Sequence, residues 1–247
     1  MQTEDLFAQE LEFFRKEVEP AARFLYTQLA IHDAAAKNPA VVDAINRSPY
    51  FWQTILRALF DASIIALGRV FDNGSPHNIA VLFRAAAGNE EGFSKDALAE
   101  RKRALSANAD EWLDAYLAST PEHQPGALRE MANRIRHFRD TYEKRYKPIR
   151  DKVVAHAEAS DEERAALFAE TNTAEMQEMF VFLVGVYDAL WNLHMNGRPP
   201  SVSGLPQTVE EIIENTRAGS SLGPSYPQIV HEVTGLFRVL AAGEPVA

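Results

Sequence analysis

Seven apolar residues, Met131, Ile135, Phe138, Tyr142, Tyr146, Ile149 and Val153, recur at spacings of four, three, four, four, three and four. Such a stripe runs along one side of an α-helix; a strand, whose side chains alternate between faces, would scatter it. Helical spacing of this kind recurs through most of the chain, and alternating β-branched runs are missing, so the whole chain is predicted to be all-α. The stripe keeps its phase through Pro148, which predicts one kinked helix from Leu128 to about Ala157. The kink is expected to leave carbonyls unpaired just before Arg150.

The remaining elements follow from stop and start signals. A first helix is expected from about Glu4 to Ala36, with Leu6, Leu11, Phe14, Val18, Phe24, Leu25 and Leu29 inward and a kink or restart at Pro20. Asn38-Pro39 ends it and opens a short helix through Ile45. Tyr50 to Phe71 is apolar around most of its circumference, which predicts a central, mostly buried helix. Arg57, Asp61 and Asp72 fall within about 60° of one another on it, with Arg69 about 60° further round. They read either as a row of internal ion pairs or, for Arg69 and Asp61, as support for a site elsewhere. After the Asn73-Gly74-Ser75-Pro76 turn come a helix over Asn78–Ala87 and two polar helices, about Ser94–Leu105 and Ala109–Ala118. This polar stretch, about 90–125, reads as a peripheral insertion closed by the loop Thr120–Gly126. Ser160 caps a short acidic helix, and a long amphipathic helix from Thr173 to about Met195 packs through Met176, Phe180, Leu183, Tyr187, Leu190 and Trp191. A Pro-rich linker from Gly197 to Pro206 then leads to two C-terminal helices, about Thr208–Arg217 and Pro227–Ala241.

Composition narrows the function classes. With 46% hydrophobic and 24% charged residues over 247 positions, the chain has the make-up of a folded, soluble protein with a sizeable core. It contains no cysteine, which excludes disulfides, thiolate metal sites and cysteine nucleophiles, and fits a cytoplasmic location. The acidic N-terminus lacks a signal-peptide pattern, and the apolar run at Phe180–Leu193 is too short to span a bilayer. A net charge of −10 argues against wholesale nucleic-acid binding. One segment runs the other way. From Arg129 to Lys152, nine Lys/Arg face four Asp/Glu.

At the end of that basic segment stand Arg150, Asp151 and His156. None of the seven histidines follows a glutamate by three residues, and no His-x-x-x-His occurs, so no bundle-core metal site is expected and no cofactor is called for. Nor is there a phosphate-binding glycine loop or a Gly-x-Ser-x-Gly elbow. Arginine offers planar donors to phosphate, and histidine moves protons near neutral pH. The pair therefore suits transesterification of RNA: the imidazole takes the 2′-OH proton and the guanidinium stabilises the charge on phosphorus. Six residues along a helix separate the two by about 120° in projection and about 9 Å of rise. A second copy facing the first across a two-fold satisfies the geometry more easily than one helix does. The alternative is that His156, at the angle of Phe138 near the apolar stripe, is a satisfied core residue.

Arg150-Asp151-Lys152-Val153-Val154-Ala155-His156, preceded by Tyr142 and Tyr146 and followed by Ala157-Glu158, resembles the motif of the HEPN superfamily, an arginine, a polar residue and a histidine a few positions on. Ala58 to Asp72 is similar to the corresponding helix of its abortive-infection U-like branch, and the resemblance covers roughly residues 5–195. It implies an up-and-down helical bundle with peripheral helices, over 1–197, with the linker and C-terminal helices of 198–247 packed on it. It also implies a homodimer whose arginines and histidines line one cleft, and a metal-independent endoribonuclease of phage defence or toxin–antitoxin systems. On this reading Arg150 is the phosphate ligand, His156 the general acid/base, and Asp151 orients one or the other. Lys147, Lys152 and Arg145 are candidate contacts to RNA phosphates, with Tyr146, Arg69, Asp61 and Asp72 in support. The expected partners are a second copy, tRNA or single-stranded RNA, and an antitoxin, with no membrane. Two alternatives stay open, a non-catalytic nucleotide- or RNA-binding module and a plain helical scaffold. Asp151 stands where many active members carry Asn or His.

Overall fold

A computed structural model describes residues 3–123, 125–156, 158–202, 204–217 and 225–242. Gln124, Ala157 and Ser203, which belong to the loop, motif and linker read from the sequence, lie outside the described residues. Among the described residues the secondary structure is entirely helical, and the fold is an up-and-down helical bundle with peripheral helices. The helices are α1 (Thr3–Lys37), α2 (Pro39–Asn46), α3 (Pro49–Phe71), α4 (Ile79–Ala87), α5 (Lys95–Leu105), α6 (Leu113–Ser119) and α7 (Pro125–Thr141). α8 (Lys147–Ile149), α9 (Asp161–Ala169), α10 (Thr173–Asn196), α11 (Val209–Arg217) and α12 (Ser225–Ala242) complete the set.

The helix boundaries lie where the local chemistry puts them. The side chains of Asn38, Asn78, Ser94 and Ser160 accept the first free N–H groups of α2, α4, α5 and α9. α10 ends on Gly197 at φ +61°, with the Gly197 and Arg198 N–H groups returning to the Leu193 and Asn192 carbonyls. Pro20 lies inside α1 and leaves the Lys16 carbonyl without its usual partner, yet α1 stays a single helix instead of restarting.

The chain forms two compact units. The first comprises Met1–Lys16, Arg69–Tyr142 and Phe182–Gly204. Phe7, Phe71, Ile79, Leu82, Leu98, Leu113, Phe138 and Leu190 are buried in it. Phe7 meets Phe93 edge-on at 5.1 Å, and Phe138 lies 4.8 Å from Phe182. The second comprises Glu17–Gly68, Glu143–Val181 and Leu205–Ala247. Its core holds Leu25, Tyr26, Ile64, Leu67, Tyr146, Ile149, Phe180, Val230 and Phe237. Here the Tyr26 and Tyr226 rings lie 4.5 Å apart, and their hydroxyls donate to the Gln207 and Pro206 carbonyls at 2.6 and 2.8 Å. Those two bonds pin the end of the linker between α1 and α12.

Two expectations about burial are corrected. Leu6 and Trp191, read as inward, are exposed. α3 is buried only from Ser63 onward: Tyr50 is 84% and Phe51 57% exposed, and Ile55, Leu56 and Leu59 are half-covered. An apolar circumference shows that a helix needs cover on every side, but not that its own chain supplies it.

Candidate functional site

The apolar stripe does what its spacing requires. Met131, Ile135, Phe138, Tyr142, Tyr146, Ile149 and Val153 are all buried. The helix that carries them runs from Pro125 to Ala155, but its pitch changes twice. Tyr142–Tyr146 and Arg150–Ala155 are wide π-helical turns on either side of the short α8 that contains Pro148. Proline lacks the N–H that would bond to the Lys144 carbonyl, and its ring crowds that carbonyl. Widening the turn before it relieves the clash and keeps the stripe facing inward. Wide turns inside helices occur often at functional sites.

The second wide turn shapes the motif. Its last backbone bond is from the His156 N–H to the Asp151 carbonyl at 3.2 Å, five residues back, and the Lys152 carbonyl then accepts from Glu158 at 2.8 Å and Ala159 at 3.2 Å. His156 therefore stands at the frayed end of the helix and its side chain is exposed. The core-histidine alternative fails for this reason. It assumed regular 100° steps, whereas the wide turn advances less per residue and carries the ring off the stripe.

Arg150 is half-buried and its guanidinium lies on the neighbouring carboxylate, Nε at 2.7 Å and Nη2 at 2.6 Å from Asp151 Oδ1. Asp151 thus orients the arginine. The other cations of the motif are drawn to carboxylates further along the chain. Arg145 pairs with Glu175 in the first turn of α10, and Lys152 with Glu163 in the first turn of α9, whose bond to the ammonium raises the lysine pKa. Lys147 is half-buried and engaged within the fold. Tyr146 is fully buried, its hydroxyl 3.1 Å from Glu175 Oε1 and 3.2 Å from the Asn172 carbonyl. Burial first, and then the Glu175 charge, push this phenol far above its ordinary range.

The candidate supports are placed as follows. Asp61 takes Arg57 at 2.7 and 2.8 Å, one turn away on the outside of α3, so that pair is a surface pair and not an internal one. Arg69 and Asp72 fall in the first unit, apart from the unit that holds Arg150 and His156, and both are engaged there. Glu163 and Glu175 were not singled out from the sequence, where they read as first-turn acids that favour a helix N-terminus. The signal that could have found them is electrostatic: a segment as basic as 129–152 in an acidic chain draws its counter-charges from the elements that follow it.

The all-helical bundle and an Arg-x5-His segment at a helix end define a HEPN-type protein. A family model described as HEPN AbiU2 matches residues 5–214, and the chain belongs to that family. The match runs past the linker into α11, further than the resemblance at 5–195, and leaves α12 outside it. No curated protein and no solved structure matches the chain. Among the described residues no helix is long and apolar enough to cross a membrane.

Proposed function

We propose that this HEPN protein is a cytoplasmic, metal-independent endoribonuclease, an effector of phage defence or of a toxin–antitoxin system restrained by an antitoxin. The observation that carries the reading is the exposure of His156 at the end of a wide helical turn that also holds Arg150 against Asp151. An imidazole placed there for packing would be covered; one placed to exchange protons with a substrate would not.

The chemistry follows from the two groups. His156 accepts the proton of a ribose 2′-OH, whose oxygen attacks the adjacent phosphorus; Arg150 binds the non-bridging oxygens as charge grows on them. The P–O5′ bond breaks and a protonated imidazole returns a proton to the leaving 5′ oxygen, giving a 2′,3′-cyclic phosphate and a 5′-hydroxyl. A homodimer with a composite site supplies both imidazoles, one to take the proton and one to give it. Asp151 is the positioning residue of Arg150.

A second reading, a non-catalytic binding or dimerisation module, is favoured by a separate observation: Arg145, Arg150 and Lys152 are each paired with a carboxylate. Incubation of labelled tRNA and single-stranded RNA in EDTA with wild type, Arg150→Ala and His156→Ala decides between them. Cyclic-phosphate ends that vanish in both folded variants support the nuclease. RNA that is bound but left intact by wild type refutes it in favour of the module.

A further inference from the structure

The exposed half of α3 carries an ordered pattern. Phe51, Ile55, Ala58, Ala62 and Ile65 recur at spacings of four, three, four and three, the seam of a two-helix coiled coil. All five lie in the second unit, and none is buried: Phe51 is 57% and Ile65 38% exposed, and Ala58 is exposed. Tyr50 lies beside the seam at its start. On the opposite side of α3 the contacts are already made, Trp52 with Phe237 of α12 at 5.4 Å and Phe60 with Phe168 of α9 at 5.4 Å. The seam is the side left over.

We infer that this face of α3 docks antiparallel on the same face of a second copy of the chain. The pattern is self-complementary. Phe51 and Ile65 stand seven residues either side of Ala58, so a two-fold near Ala58 lays each Phe51 over the partner copy's Ile65. Alanines at the centre let the two backbones come close. The charges agree: a two-fold at residue 59 sets Arg57 of each copy opposite Asp61 of the other, and the pair already formed within each copy can extend across the axis. A nucleic acid is the poorer occupant, because Arg57 is already paired with Asp61 and the seam itself is apolar. This inference rests on the homodimer in the proposed function and names its surface.

The chain's lack of cysteine makes the test direct. In Ala58→Cys the new thiols meet only if α3 faces α3 across the axis. Mild oxidation of the full chain should give a covalent dimer on a non-reducing gel. Leu105→Cys, 67% exposed in the other unit, should give none. Sedimentation equilibrium of Ala58→Arg, checked for helix content by circular dichroism, should show self-association weakened at least about tenfold. A monomeric wild type overturns the inference, and so does a wild-type dimer that neither cross-links through Ala58→Cys nor weakens in Ala58→Arg. Weaker RNA binding by Tyr50→Ala or Phe51→Ala in a monomeric protein would give the face to RNA and overturn it as well. The cleavage assay on monomeric Ala58→Arg separates this inference from the composite site: lost cleavage supports both, and undiminished cleavage leaves the interface standing while the composite site falls.

Discussion

Tyr146→Phe removes one oxygen atom from the middle of the motif helix and leaves its packing intact, so its effect isolates the hydroxyl. That hydroxyl has one proton and two acceptors, Glu175 Oε1 at 3.1 Å and the Asn172 carbonyl at 3.2 Å. A bond to a charged acceptor is worth about 1.5–3 kcal/mol net. Both distances exceed the usual O–H···O separation of about 2.7–2.8 Å, which points to the lower end, about 1.5 kcal/mol. For a chain of this size that is a fall of roughly 3–6 °C in Tm. Glu175→Ala loses the same bond plus the Arg145 pair, which is largely exposed and adds about 0–1 kcal/mol. The double variant should therefore fall short of additivity by roughly 1 kcal/mol, since each change removes the same contact. The alkaline limb gives an independent check. The phenol is held above its ordinary value of 10.0, so its contribution is complete below about pH 10 and is lost as the pH rises through the folded value. The stability gap between wild type and Tyr146→Phe should narrow above pH 10. Chemical denaturation of the four proteins at pH 7 and 10.5 measures all of this. A Tyr146→Phe effect below about 0.5 kcal/mol, or strict additivity with Glu175→Ala, would refute the reasoning.

Further predictions rest on other parts of the fold. His156→Ala should leave Tm within about ±0.5 kcal/mol of wild type, because the ring is exposed; a large loss in a thermal melt would return the residue to a structural role. Gly197→Ala should cost roughly 2–4 kcal/mol, since φ is +61° and a Cβ would lie 2.6 Å from Thr120 Cγ2 and 2.7 Å from Leu98 Cδ2. Lys37 bonds Asp33 at 2.5 Å and Glu210 at 2.8 Å, and the lysine holds the Glu210 pKa at about 2. That depressed carboxylate stabilises the fold above its ordinary 4.5 and ceases to do so as pH falls towards 2, so Glu210→Gln should flatten an acid melt over that window. Asp151→Ala should strengthen RNA binding at low salt while reducing cleavage, because it unmasks the guanidinium and frees its orientation; filter binding and gel assays on one preparation read both.

The fold was legible because its information is local. Asn38, Asn78, Ser94 and Ser160 cap the helices they precede, and the stripe from Met131 to Val153 holds its phase to the end. The site was legible only as a set of residues. Its geometry depends on two wide turns, and the choice of a wide turn over a regular one is a balance of a proline clash against one backbone bond that no periodicity records. The exposure of α3 was illegible for a different reason. Apolar periodicity states a need for cover, and whether the cover is internal or a second chain is a property of the assembly.

The electrostatics of the motif were also half legible, and the missing half changes what the basic segment can do. Counted along the sequence, 129–152 looks like a phosphate-binding patch. Folded, it receives Glu175 at Arg145 and Glu163 at Lys152, and Asp151 sits on Arg150. A phosphate arriving there exchanges with a carboxylate instead of displacing loosely held counterions. Each such exchange returns less free energy than an open lysine would and releases fewer ions. RNA affinity should then fall only shallowly with salt, with a log–log slope of roughly −1 to −2 and not the steep slope of a protein that neutralises many phosphates. The gain from Arg150 is concentrated where charge on phosphorus is greatest, in the transition state, and this is where a guanidinium held in place beforehand acts most strongly. A slope steeper than about −4 would mean that the carboxylates release their cations on binding, and it would undo this account of the patch.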